Sequence, residues 1–267
     1  MDSSTPILTV IFARLSNRSS NMPKHFFFDL DNTLTRSKSH IAPEHVPILR
    51  ELAERADVIV VSGHGEKDIT EHLEDQMKGR YHILGQNGNK ATTRDGRMLW
   101  ERTLTDEQKA AAHEFIAKAR THLPLPVKDE SDLVDDRGCQ IAYSLIGHHE
   151  EKAKKEAFDP DHAIRQKLLH DLASDVRTLN ERGIEAVSGG TTVLDMFEMG
   201  KNKGYNVREF IAAMHWNHDE CIYIGDALFP GGNDETVVGI IATHAVKDYR
   251  ETYEYVTQLM RTSATMV

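Results

Sequence analysis

Phe26-Phe27-Phe28-Asp29-Leu30-Asp31-Asn32-Thr33-Leu34-Thr35 is the stretch that decides the fold. Bulky apolar residues run without interruption into two carboxylates two positions apart. Such a run reads as a strand buried on both faces, and Asn32-Thr33 suits a turn. In extended backbone the side chains alternate, so Asp29 and Asp31 are expected to project the same way. Like charges that close, at the end of a buried strand, are costly unless a cation or a substrate needs them. The plainer reading is a strand that ends in a polar turn.

Outward from this stretch, the pattern repeats. A helix is expected from Pro43 to Arg55, with Val46, Leu49, Leu52 and Ala53 at helical spacing. Val58–Val61 is a second buried strand, ending at Ser62-Gly63-His64-Gly65. Ile69, Leu73 and Met77 mark another helix, and Tyr81–Leu84 a third strand ending at Gly85-Gln86-Asn87-Gly88. Strand alternating with helix predicts a parallel α/β sheet.

The pattern then changes. Asp95-Gly96 is a hairpin signal between two short strands. Thr105 with Gln108 is a capping box opening a helix, which Pro124 and Pro126 stop. Gln140–Ile146 alternates as a half-buried strand. Asp159-Pro160 opens one long helix carrying Ile164, Leu168, Leu172 and Val176. Ile184–Val187 and Thr192–Phe197 are further strands. Hairpins and helices in this order predict a separate α+β domain over residues 89–192, inserted into a core made of residues 22–88 and 193–267. In the second core segment a helix is expected over Tyr205–Met214, and Cys221–Ile224 is a buried strand ending at Gly225-Asp226. The Gly- and Pro-rich loop Phe229-Pro230-Gly231-Gly232-Asn233-Asp234 follows. Residues 1–21 read as a loosely ordered extension, and Met22 offers an alternative start.

Composition narrows the function classes. The chain has 267 residues, 39% of them hydrophobic and 28% charged, as expected of a soluble globular protein. Its formal net charge of −10 argues against nucleic acid or an anionic membrane as partner. A phosphate-bearing substrate must then be met by local cations or a metal. Cys139 and Cys221 are the only cysteines, so a reducing, cytoplasmic location is the expectation. No stretch approaches the roughly 20 apolar residues of a membrane span.

Sites in open parallel sheets form beyond the carboxyl ends of the strands. Asp29, Asp31, Ser62 and Asp226 stand at such ends, and Lys203 stands at the start of a helix. Asp29 and Asp226 are hard oxygen ligands suited to Mg²⁺, with a backbone carbonyl and waters completing the octahedron. Asp31, Asn233 and Asp234 complete the candidate metal set. Asp29 can attack phosphorus to give an aspartyl-phosphate. Ser62 and Lys203 would hold the transferring oxygens, and Asp31 would protonate the leaving oxygen and later activate the acceptor. The Asp29-x-Asp31-x-Thr33 spacing lacks the Gly and Glu of a calcium loop. The fifteen histidines show no metal-site spacing and read as surface or supporting residues.

These residues resemble the haloacid dehalogenase superfamily motif by motif: Asp29-Leu30-Asp31-Asn32-Thr33, Ser62, Lys203, then Gly225-Asp226 with Asn233-Asp234. The resemblance implies a Rossmann-like parallel-sheet core with an inserted α+β cap of the IIB class. Gln86-Asn87-Gly88, residues 129–147, Ser188-Gly189-Gly190, Asp195-Met196-Phe197 and the loop through Asp234 further resemble the eukaryotic-type phosphomannomutases. That family grips a distal phosphate with cap arginines and a serine. Arg137 and Asp195 match, and Lys38 and Gly63 join them as candidate substrate contacts. His148 stands where an arginine is expected, Val193 replaces the serine, Pro126 or Lys128 falls near a third arginine, and Asn32 replaces a Gly. The resemblance with these departures implies a Mg²⁺-dependent phosphatase acting on a small sugar phosphate. A phosphomannomutase is the alternative, and an inactive sugar-phosphate binding module a remote one. A homodimer through the cap is left open.

Overall fold

The computed structural model describes residues 22–264. The expected extension over residues 1–21 lies outside them. In chain order the first strands are β1 (His25–Phe28), β2 (Asp57–Val61), β3 (Tyr81–Gly85), β4 (Lys90–Thr92) and β5 (Met98–Glu101). Then come β6 (Val134–Asp136), β7 (Gln140–Ser144), β8 (Ile184–Gly189) and β9 (Val193–Glu198), and last β10 (Cys221–Gly225) and β11 (Ala242–Ala245). They form two sheets, a seven-stranded one in the order β11-β10-β1-β2-β3-β4-β5 and a four-stranded one in the order β6-β7-β9-β8.

In the large sheet β11, β10, β1, β2 and β3 are parallel. Alternation sends Phe26 and Phe28 to one face with Val58, Val60, Ile222 and Ile224. That face is covered by α1 (Val46–Arg55) through Val46, Leu49 and Leu52, and by a C-terminal helix through Tyr253, Val256 and Met260. Phe27 points the other way with Ile59, Val61 and Tyr223, against Val207, Phe210 and Ile211. The three phenylalanines are fully buried, worth about 1.5–3 kcal/mol each. That burial offsets the cost of holding acidic residues at the strand's end.

The chain runs from β1 outward to β3 and returns on the other side of β1 as β10. The order reverses between β1 and β10, and a crevice opens beyond their carboxyl ends.

Two expectations about the inserted segment are corrected. The Asp95-Gly96 hairpin does not belong to the inserted sheet: β4 and β5 extend the parallel sheet antiparallel from β3. Conversely Val193–Glu198, expected in the core, pairs between β7 and β8. The capping box of Thr105 and Gln108 is present and opens α3 (Asp106–His122), after α2 (Glu66–Leu73). A short helix, α4 (Lys152–Phe158), was not foreseen. The single long helix expected after Asp159-Pro160 is two, α5 (Ala163–Asp171) and α6 (Ala173–Glu181), because Leu172 leaves helical backbone at φ −97°, ψ 27°. The last helices are α7 (Lys203–Ala213) and α8 (Tyr249–Ala264). Among the described residues no helix is long and apolar enough to cross a membrane.

The small sheet is buried on both faces. Ile141, Tyr143, Leu194 and Met196 pack with residues of α3, α5 and α6. The opposite face carries Gln140, Ala142, Ser144 and Asp195, also buried, which is why β7 is not half-exposed as its alternation suggests. This polar face seats on the turns after β2 and β3. Gln140 Nε2 donates to the Gly63 carbonyl at 2.8 Å, and Asn87 Nδ2 donates to Gln140 Oε1 at 2.9 Å. The two crossings between the sheets, residues 102–105 and 199–202, are tied together. Asn89 and Asn206 both donate to the Lys201 carbonyl, and Arg102 Nη1 donates to Asn206 Oδ1. On the opposite rim Arg36 forks onto Glu156 of α4, at 2.9 and 2.5 Å, and Lys152 meets Ser39.

Candidate active site

The carboxyl ends of β1, β2 and β10 open into a cavity of about 690 Å³, roofed by the polar face of the small sheet. Its walls include Asp29, Asp31, Ser62, Asp226 and Asn233 from the large sheet's loops, and Arg137, Val193 and Asp195 from the small sheet.

Asp29 follows β1 directly, its N–H donating to the Ile224 carbonyl of β10 at 3.0 Å. Its Oδ1 accepts from Lys203 Nζ at 2.5 Å, and the same ammonium donates to Asp234 Oδ1 at 2.7 Å. Lys203 is at the start of α7, whose N-cap is Asn202. Burial disfavours the Lys203 charge, but Asp234 and Asp29 outweigh it and raise its pKa. Burial drives the Asp29 carboxyl well above the usual carboxylate range, with Lys203 opposing.

Asp234 is fully engaged. It accepts from Lys203, from the Tyr223 hydroxyl at 2.6 Å and from the Ala227 N–H at 3.4 Å. Carboxylate oxygens of Asp29, Asp226 and Asp234 lie within 4.8 Å of one another. Burial, then the Asp234 charge, pushes Asp226 up to about 7. Hard oxygen donors converging against their own repulsion fit a divalent cation of the Mg²⁺ kind. Asp29 and Asp226 have oxygens to give it, whereas Asp234 is occupied with Lys203 and Tyr223.

Asp31 lines the same cavity as Asp29 but stands apart from the acidic cluster. β1 ends at Phe28, so alternation no longer governs Asp31, and its carboxylate lies outside the acidic group. Its Oδ2 is 2.9 Å from His64 Nε2, and its Oδ1 accepts from the Lys38 N–H at 2.7 Å. Burial alone would raise Asp31, but the facing His64 reverses this and holds it far below the usual range. Burial likewise opposes the His64 charge, and Asp31 overrides it to about 9. Asn32 sits at φ 58°, a conformation suited to Gly that Asn tolerates. Its amide reaches Asp226 Oδ2 at 3.4 Å, and the Thr33 hydroxyl accepts from the Asp226 N–H at 3.1 Å.

Ser62 is buried, its Oγ accepting from the His64 N–H at 3.2 Å. The Gly63 carbonyl is taken by Arg137 Nη1 at 2.7 Å and by Gln140. Arg137 Nε also pairs with Asp135 at 2.7 Å. Asp195 is buried between Asn87 and Gln140, which donate to it at 3.3 and 3.2 Å, and burial raises its carboxyl. A Cβ at Gly63 would stand 2.9 Å from Asp195 Oδ2, so a side chain here would push Asp195 out of its place. Lys38 Nζ reaches the His148 carbonyl at 3.4 Å.

Sequence reasoning missed His64, Tyr223 and Arg165. The first lies in the turn that carries Ser62, a usable signal. Tyr223 reads as strand core. Arg165 is fully buried on Asp159, with Nη1 donating to the carbonyls of Gly189, Gly190 and Val193. It braces the cavity roof and does not line the cavity.

The profile of the eukaryotic phosphomannomutase family matches residues 46–262. A probable phosphomannomutase of Caenorhabditis elegans is 28% identical over 247 residues, covering 88% of this chain and 94% of that protein. Among solved structures, the IMP-bound IMP-nucleotidase of Plasmodium falciparum superposes with a TM-score of 0.65 at 14% identity, over 90% of this chain and 68% of that one. A haloacid dehalogenase-like hydrolase from Bacteroides thetaiotaomicron gives 0.60 at 15%, over 90% and 99%. At such identities the two structures speak for the fold alone.

Proposed function

We propose that this chain, which belongs to the eukaryotic phosphomannomutase family within the haloacid dehalogenase superfamily, is a Mg²⁺-dependent phosphatase acting on a small sugar phosphate. One observation carries the reading: Asp29, Ser62, Lys203 and Asp226 converge at the strand-order reversal, around one cavity closed over by a second sheet.

Asp29 attacks phosphorus, the bond to the leaving oxygen breaks, and an aspartyl-phosphate forms. Ser62 and Lys203 bind the phosphoryl oxygens. Asp31 is ionised while His64 faces it; a phosphate dianion arriving beside it raises its proton affinity, so that it takes up a proton from solvent and hands that proton to the leaving oxygen. Asp31 then takes a proton from water, which attacks phosphorus and frees Asp29. Asp29 and Asp226 would hold the Mg²⁺, whose charge offsets that of the phosphoryl group.

The roof favours hydrolysis over internal transfer. His148 has its ring committed to the Ala142 carbonyl at 3.2 Å, Val193 presents an apolar wall, and Arg165 is spent on backbone carbonyls. Arg137 is the one roof arginine lining the cavity among the described residues. A mutase must grip a second phosphate while the sugar turns over, and family membership keeps that as the second reading. The deciding experiment incubates the protein and its Asp29→Asn variant with Mg²⁺ and a panel of hexose 1- and 6-phosphates. Free phosphate release by the parent alone supports the phosphatase. Migration of phosphate between positions without net release would make it a mutase. Turnover by Asp29→Asn within tenfold of the parent would remove Asp29 as nucleophile.

A further inference from the structure

We infer that His64 is the positioning residue for Asp31, holding its carboxyl in the orientation that serves the leaving oxygen. This rests on the reading of Asp31 as the proton donor. Asp31 lies past the end of β1, in a segment with left-handed backbone at Asn32 and Lys38, so the sheet does not fix its side chain. Two donors do. The Lys38 N–H meets Oδ1 at 2.7 Å, and His64 Nε2 meets Oδ2 at 2.9 Å.

His64 is itself held by further contacts. Its N–H donates to Ser62 Oγ at 3.2 Å, and its carbonyl accepts from the Gln86 N–H at 2.9 Å. Its ring packs edge-on against His72, centroids 5.3 Å apart. Nδ1 lies 3.8 Å from Asp68 Oδ2 in the first turn of α2, which favours placing a proton there. One residue thus couples the turn of Ser62 to the carboxyl of Asp31. Support of this kind sets how well a catalytic group is aimed.

The test uses two shape-matched probes, phenyl phosphate and p-nitrophenyl phosphate, with the full chain in saturating Mg²⁺. Nitrophenolate departs without needing a proton, whereas phenolate needs one. The readout is kcat/KM, which reports the steps up to leaving-group departure and excludes hydrolysis of the aspartyl-phosphate. His64→Leu should lower kcat/KM on phenyl phosphate by about tenfold to a hundredfold, and on p-nitrophenyl phosphate at most a few-fold. His64→Gln, which keeps an N–H near the Nε2 position, should recover most of the loss. His64→Asn, one bond shorter, should not. Should His64→Leu fail to fold, the Gln and Asn variants decide by the same ratio. Equal losses on both probes, or equal values for Gln and Asn, would overturn the assignment. Asp31→Asn is the control. If it shows the split and the His64 variants do not, His64 alone is wrong. If Asp31→Asn shows no split, the proton-donor reading falls and this assignment with it.

Discussion

Lys203 Nζ stands 2.5 Å from Asp29 Oδ1 while also holding Asp234 at 2.7 Å, so one fully buried ammonium serves two carboxylates that lie at different points of the chain. Removing it leaves two buried carboxylates uncompensated. Lys203→Met is expected to destabilise the fold by about 3–5 kcal/mol in urea unfolding. It should lower kcat/KM by about a hundredfold to a thousandfold. Adding Asp234→Asn should restore part of the stability and none of the activity. Recovery of activity by the double variant would show that Lys203 serves the fold alone.

Three carboxylates crowd within 4.8 Å, so a divalent cation should be needed twice over. Exhaustive chelation is expected to abolish turnover. Mg²⁺ should raise the thermal unfolding midpoint of the parent, and Asp226→Asn should blunt that rise. Full turnover in chelator would defeat the metal assignment.

Arg137 reaches across from the small sheet to the Gly63 carbonyl and lines the cavity. Its expected role is to orient the sugar. Arg137→Ala should cut hexose-phosphate turnover by about tenfold to a hundredfold and cost much less on a small aryl phosphate, which does not extend to the roof. Arg137→Gln keeps a donor for Gly63 and separates the structural share. Equal losses on both substrates would mean that Arg137 fastens the sheets and leaves the sugar alone.

Two histidines titrate in opposite senses. Burial, then Lys38, lowers His148 to about 4, against an ordinary value near 6.5. The unfolded chain therefore takes up that proton first. The stability it contributes is present above pH 6.5 and lost as the pH falls toward 4. His64, raised to about 9 by Asp31 in spite of burial, contributes fully below pH 6.5, and the contribution is lost as the pH rises through 9. Unfolding midpoints of the parent should therefore lose ground against His148→Gln on the acid side. Against His64→Gln they should lose ground on the alkaline side. Carboxylates that do not face the substituted histidine cancel in each difference; Asp31, which faces His64, does not. Differences that do not vary with pH would count against both shifts.

The corner where the polar residues gather was legible because they sit where buried strands end, and a strand end is marked by the switch from apolar to polar residues. Asp29, Ser62 and Asp226 needed no more than that. Asp95-Gly96 announces a turn but does not say which sheet edge the hairpin joins, so β4 and β5 were assigned to the wrong sheet. The break between α5 and α6 at Leu172 carries neither Gly nor Pro. Asp31 and His64 meet through loops whose path no periodicity encodes, and the site's finer electrostatics lie in such meetings.

Asn89 and Asn206, both fully buried, bind the two crossings between the sheets into one dry axle. Across the cavity the rim is closed by Arg36 and Glu156, with Arg36 largely in solvent, an exposed pairing of little net strength. The roof is thus hinged by amides that salt does not reach and fastened by ions that salt screens. Rising ionic strength should weaken the fastening and leave the axle untouched.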